Sequence, residues 1–198
     1  MFYSDLDPRF YGYTFNSTNF VDNSFIDTVK NYIKDQELIR GGFGDSSGDD
    51  KDTIRNSRIH WMVNNRYKDT LMPLYDELTT KIREVNDSQW RLLVDGWDAF
   101  QYTEYDESYK GHYNWHVDYV MTPPNEPLSR KISFSLGISD INDYEGGELF
   151  TKMDRNEKSY KLDKGEIFVF PSWMLHKVTP VTKGKRKVIV GWGLGPVI

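Results

Sequence analysis

Apolar residues recur along this chain at two different periods, and the change between them falls near residue 88. In the first part the period is helical. Ile26, Val29 and Ile33 follow Ser24 and Asp27, which resemble a capping pair, so the spacing predicts a helix running to about Leu38. From Asp69, a plausible cap, Leu71, Leu74, Leu78, Ile82 and Val85 form a stripe at spacings of three and four, with Pro73 near the first turn. Such a stripe is read as packing against a sheet, not as a cofactor box. Between the two helices, residues 54–63 (IRNSRIHWMV) mix strand formers with charges, and His60 beside Trp61 reads as a packed structural histidine. Residues 41–52 (GGFGDSSGDDKD) form a glycine-rich, acidic loop. Its aspartates do not fit the twelve-residue calcium loop, which leaves a solvated loop or a lid. Residues 1–22 are aromatic and polar without periodicity and are expected to form a strand or an extended arm.

After Asn86-Asp87-Ser88, short strand-like runs follow one another: Trp90 to Val94, Ala99 to Tyr105, Tyr113 to Val120, Lys131 to Ser139, Glu148 to Thr151, Ile167 to Phe170 and Lys187 to Trp192. Turn signals separate them, among them Asp95-Gly96, Thr122-Pro123-Pro124-Asn125, Gly146-Gly147, Lys164-Gly165 and Lys183-Gly184. Ile132, Phe134, Leu136 and Ile138 alternate with Ser and Gly, which predicts a strand buried on one face. No helical pattern interrupts the series, so antiparallel sheets in a sandwich or barrel are expected. The fold class is therefore mainly β with supporting N-terminal helices. Residues 1–198 are read as one domain, with 1–88 as helical support and loop and 89–198 as a jelly-roll core.

Composition narrows this further. The 198 residues suit one domain, and 38% hydrophobic with 28% charged residues describe a globular chain rather than a disordered one. The net charge of −5 argues against nucleic acid as the main partner. No apolar run approaches a membrane span, and the start MFYSDLDPRF has no signal-peptide pattern, so a cytoplasmic location is expected. The chain has no cysteine. Thiolate chemistry and Cys-based metal sites are thereby excluded, and any metal must be held by His and carboxylate.

One such set stands out. His116 and Asp118 lie two residues apart, which on an extended strand puts both side chains on one face. With 20 Asp in the chain such a pair is weak alone. His176, from the distant run Phe168-Val-Phe-Pro-Ser-Trp-Met-Leu-His-Lys-Val178, would complete a two-His, one-carboxylate face with open positions, the set typical of non-haem Fe(II). Arg186 opens the last strand and shares a face with Val188, Val190 and Trp192. If that face is internal, its guanidinium needs an anion there; the other reading is a surface cluster with Lys183, Lys185 and Lys187. Tyr113, Trp115 and His112 read as barrel packing and an exposed loop histidine, and Gly146-Gly147 as a turn or bulge.

The ordered blocks His116-x-Asp118, Tyr144-Glu-Gly-Gly-Glu-Leu149, Lys164-Gly-Glu-Ile-Phe-Val-Phe-Pro171, His176-x-Val-x-Pro-Val181 and Gly184-x-Arg186, ending in Gly191-Trp192, resemble the Fe(II)- and 2-oxoglutarate-dependent dioxygenases, in their prolyl 4-hydroxylase-like branch. The resemblance covers roughly residues 100 to 193. It implies a double-stranded β-helix in which His116, Asp118 and His176 bind Fe(II). It implies that Arg186 pairs with the distal carboxylate of 2-oxoglutarate, helped by a tyrosine for which Tyr105 is the candidate. Lys185 and Lys187 are the alternatives to Arg186. The implied activity is hydroxylation of a C–H bond with O2, yielding succinate and CO2, with ascorbate as a further expected cofactor. A protein or peptide substrate, with a residue such as proline hydroxylated, is the leading expectation. A free amino acid or small metabolite, or a non-catalytic metal-binding jelly roll, are the alternatives.

Overall fold

The computed structural model describes residues 14–42, 54–63, 68–119, 127–152 and 157–197. In chain order the elements are β1 (Phe15–Ser17), α1 (Asn23–Ile33), β2 (Ile39–Arg40), β3 (Arg55–Asn56), β4 (Arg58–Met62), α2 (Lys68–Gln89), β5 (Gly96–Trp97), β6 (Phe100–Asp106), β7 (His112–His116), β8 (Leu128–Gly137), β9 (Tyr144–Gly146), β10 (Leu149–Lys152), β11 (Glu157–Tyr160), β12 (Ile167–Pro171), β13 (Leu175–Val178) and β14 (Val181–Pro196). The long β14 lies between β8 and β6 in a sheet of order β1-β12-β8-β14-β6-β4-β2, and β5 and β9 also pair with it. A second sheet has the order β11-β10-β13-β7-β3. All the pairings are antiparallel, as the uninterrupted run of strand patterns predicts.

The large sheet is buried on both faces, and each face has its own core. On the outside, Phe25, Ile26 and Val29 of α1 and Leu71, Leu74, Leu78, Ile82 and Val85 of α2 pack on Phe100, Tyr102, Ile132, Phe134, Leu136 and Ile189. The predicted helical stripe is thus core packing. On the inside, Tyr105, Tyr144, Leu149, Phe168, Phe170, Val178 and Val188 fill the space toward the second sheet. One tyrosine ties helix to sheet: the Tyr75 hydroxyl of α2 accepts from Phe100 N at 2.7 Å and donates to the Met62 carbonyl at 2.8 Å, while its ring stacks on Phe100 at 3.8 Å.

Several expectations change. α1 starts earlier and ends sooner, because Asp22, not Ser24, accepts the Phe25 N–H, and Ser24 donates to Asp22 instead. Pro73 lies sixth in α2, just beyond the first turn. Trp90 to Val94 is not a strand: both ends of the Asn86 amide bond the Leu92 backbone, and Arg91 takes a left-handed φ of 55°. The alternating β8 is buried on both faces, its serines turned inward, because the sheet is covered on both sides. His60 is structural as read, holding the Tyr32 hydroxyl at 3.0 Å and the Glu37 carbonyl at 3.1 Å. Most of the loop at 41–52 lies outside the described residues, as does the arm up to residue 13.

At Gly191, next in the outer core to Ile189, β14 has no side chain. A Cβ on Gly191 would come within 2.5 Å of the Phe134 ring and 2.7 Å of the Phe100 ring. Gly191→Ala should therefore cost about 1–3 kcal/mol through forced repacking. Urea unfolding measures it, and a loss below about 0.5 kcal/mol, the scale of a surface change, would refute the packing argument.

Candidate active site

His116 ends β7 and His176 lies within β13, and the two are direct cross-strand partners. Their imidazole centroids are 4.1 Å apart. Asp118 lies beyond the end of β7, so strand alternation does not place it. Instead the backbone N–H groups of Asp118 and Tyr119 both donate to the Ser172 carbonyl, at 2.9 and 2.8 Å, in the turn between β12 and β13. That pair of bonds swings the carboxylate onto the two rings. Its oxygens stand 3.6 Å from His116 Nε2 and 3.5 Å from His176 Nε2.

Each histidine is locked by its other nitrogen. His116 Nδ1 lies 2.7 Å from the Asn114 carbonyl and His176 Nδ1 2.9 Å from the Met174 carbonyl. A carbonyl can only accept, so each Nδ1 carries a proton, and each Nε2 is the atom turned toward Asp118. Burial, with the neighbouring His176, pushes the His116 imidazolium down to about 3, so its ring is neutral at pH 7. Burial raises the Asp118 carboxyl, but the two histidines and hydrogen bonds from Ser133 and Trp192 outweigh it and hold it below the usual range. Two imidazoles and a carboxylate, their ligand atoms all within 4.8 Å of one another, suit one divalent ion.

The three face a cavity also lined by Tyr105, Tyr113, Phe170, Arg186, Val190 and Trp192. Arg186 is 2% exposed, so it belongs to the interior and not to a surface cluster. Lys185, by contrast, is turned outward and pairs with Asp106 at 2.7 Å and Glu104 at 3.3 Å. The Arg186 guanidinium reaches Ser135 Oγ only at 3.4 Å, and its Nε has no partner. Tyr105 is its cross-strand neighbour, with the ring centroid 5.3 Å from Cζ. Gly147, at φ 61°, makes room for it: a Cβ there would sit 3.0 Å from Arg186 Cδ. A planar anion fits an unsatisfied buried fork of this kind.

Residues 100–193 match the family model of the 2OG-Fe(II) oxygenase superfamily. This segment belongs to that superfamily. A PKHD-type hydroxylase of Idiomarina loihiensis is 49% identical over 61 residues, 31% of this chain and 28% of that protein. The curated relatives are matched over only about a third of their length. The fold extends further. A prolyl-4-hydroxylase of Pseudomonas putida superposes with a TM-score of 0.71 at 17% identity, covering 91% of both chains. A prolyl hydroxylase of Trichoplax adhaerens, solved with a hypoxia inducible factor peptide fragment, superposes at 0.72 with 17% identity, covering 93% of this chain and 84% of that one.

Around this cavity the structure gives places to residues that sequence reading left without a role at the site. Tyr144 donates its hydroxyl to the Leu162 carbonyl at 2.8 Å, and its oxygen is also hydrogen-bonded to Arg186. Tyr113 packs as read, and the ring it stacks on, at 3.5 Å and 13° inside the cavity, is that of His116. Trp115 is turned away from the cavity and packs against Lys177. Ser133 and Trp192, cross-strand partners, both donate to Asp118. Arg130 lies 3.9 Å over the Trp192 ring and is anchored to Asp98 at 2.7 Å. For Trp192 the sequence signal was alternation along β14, which puts it on the face of Arg186, and register then brings Ser133 opposite it.

Trp192→Phe keeps an aromatic ring, though a smaller one, and removes one donor to Asp118. Loss of an outer hydrogen bond of this kind lowers metal affinity by about 10–100-fold. Mn(II) titration followed by paramagnetic resonance reads the change, and unaltered affinity would show that the indole does not support the carboxylate.

Proposed function

We propose that this chain is an Fe(II)- and 2-oxoglutarate-dependent dioxygenase that hydroxylates a C–H bond of a peptidyl residue, with proline the leading candidate. The observation that carries the reading is the pairing of two features in one cavity: the His116, Asp118 and His176 face, and the uncompensated guanidinium of Arg186. The first suits Fe(II), the second the distal carboxylate of 2-oxoglutarate. When bound, iron and cosubstrate supply the oxidation: O2, 2-oxoglutarate and a C–H bond become CO2, succinate and C–OH.

The protein's own part is positional. The Nδ1 bonds to Asn114 and Met174 set both imidazoles, and Ser133, Trp192 and the Ser172 carbonyl set Asp118. Arg186, with Tyr144 and Ser135 beside it, orients the cosubstrate by its far end, and Tyr105 forms the wall next to the guanidinium. No protein group is required to move a proton. Val178 and Phe170 keep the walls apolar, which strengthens each polar contact inside. The peptidyl substrate is supported by fold likeness to two prolyl hydroxylases, one of them solved with a peptide.

Anaerobic titration of Fe(II)-loaded protein with 2-oxoglutarate should produce a weak visible charge-transfer band. His176→Ala should abolish it. Arg186→Met should require at least 100-fold more cosubstrate, in line with about 3 kcal/mol for breaking a buried charge-assisted pair. A well-folded wild type that gives no band at high cosubstrate would overturn the oxygenase reading.

A further inference from the structure

A second guanidinium lines the same cavity. Arg55, on β3 at the edge of the smaller sheet, is 7% exposed. Its Nε donates to Ser57 Oγ at 2.8 Å, its Nη2 to Gln101 Oε1 at 2.7 Å, and its Nη1 to the Gly42 carbonyl at 3.4 Å. Gly41 is pressed against it, for a Cβ there would come 2.9 Å from Nε. The Tyr113 ring lies 4.7 Å from Cζ.

All of these partners are neutral. Among the described residues no ion pair reaches the guanidinium. The three hydrogen bonds use three of the five N–H donors, one of them at a long distance. A cation taken out of water and left without an anion is costly, and the cost is recovered when an anion arrives. Arg186 is in the same condition, and the proposed cosubstrate answers it. That cosubstrate does not answer Arg55 as well, because its remaining carboxylate is taken up by the metal. The position is also informative. His116 covers one face of the Tyr113 ring at 3.5 Å, so Arg55 lies over the other face, one aromatic ring away from a metal ligand.

We propose that Arg55 is a carboxylate-binding subsite for the primary substrate. This rests on the oxygenase reading and deepens it: the oxidised residue carries, or adjoins, a negatively charged group. Two sources share that chemistry, the α-carboxylate of a free or C-terminal residue and the acidic side chain of a neighbouring residue in a peptide. Gln101, which also accepts from Thr103 Oγ1 at 3.1 Å, holds the fork in place for either.

The test uses the full chain loaded anaerobically with Fe(II) and 2-oxoglutarate, as wild type, Arg55→Gln and Arg55→Lys. Three probes are titrated by calorimetry: N-acetyl-L-proline, N-acetyl-L-prolinamide and N-acetyl-Pro-Asp-amide. At least one carboxylate probe should bind wild type tenfold or more tighter than the neutral amide, and which one identifies the source. Arg55→Gln should remove that preference while shifting 2-oxoglutarate affinity less than twofold. Should Arg55→Gln melt early, Arg55→Lys carries the test: it keeps the charge but not the fork, and should reduce the preference at least threefold. Equal binding of acid and amide, binding of neither, or a preference that survives both substitutions would overturn the subsite. So would a loss of cosubstrate affinity in Arg55→Gln as large as in Arg186→Met. Failure of the wild type to form the cosubstrate band would instead sink the oxygenase reading, whatever Arg55 does with the probes.

Discussion

Asp118 sits with its side chain 11% exposed, between the imidazoles of His116 and His176. A carboxylate removed from water stays ionised only while donors and cations answer it. Here the answers come from four separate parts of the chain: Ser133 on β8, Trp192 on β14, and the histidines on β7 and β13. The Ser172 carbonyl then fixes the backbone that carries it. Each of these strands must be in register for the carboxylate to be satisfied. The site therefore depends on the same pairings as the barrel.

The large sheet carries two incompatible tasks, and the alternation of side chains along β8 and β14 separates them. Outward positions are large and apolar and meet α1 and α2. Inward positions include Ser133, Ser135 and Arg186, whose small or polar side chains help to leave a cavity. Gly191 marks the price of that division, since the Phe100 and Phe134 rings occupy the space its side chain would need. The helices thus stabilise the face that does no chemistry and leave the other open to a ligand. The cavity also holds two buried guanidiniums, Arg55 and Arg186, whose contacts among the described residues are all neutral, so much of what completes its electrostatics has to come from bound molecules.

The barrel was largely legible before any coordinates because alternation, turn residues and the helical stripe are local signals. Leu71 to Val85 pack as their spacing indicates, and Lys131 to Ser139, Ile167 to Phe170 and Lys187 to Trp192 are strands. The errors have local causes of another kind. Trp90 to Val94 has strand-forming side chains but is held irregular by a single amide, Asn86, and the 157–160 strand has no apolar pattern to announce it. His116, Asp118 and His176 do converge, but Asp118 arrives through a backbone bridge to Ser172 and not through strand period.

The sequence by itself determined which residues can ligate a metal, since the chain has no cysteine and only four histidines, and it determined the order of the strands that carry them. Only the tertiary structure decided which charges are internal. Arg186 and Lys185 are adjacent in sequence and differ by one step of strand parity, yet one faces the cavity and the other a surface pair with Asp106. Arg55, Tyr113, Tyr144 and Trp192 each meet a partner 40 or more residues away, through contacts no local pattern encodes. Periodicity reports which face of an element is apolar. Where two faces are both buried, only the packed neighbours determine which one holds the site.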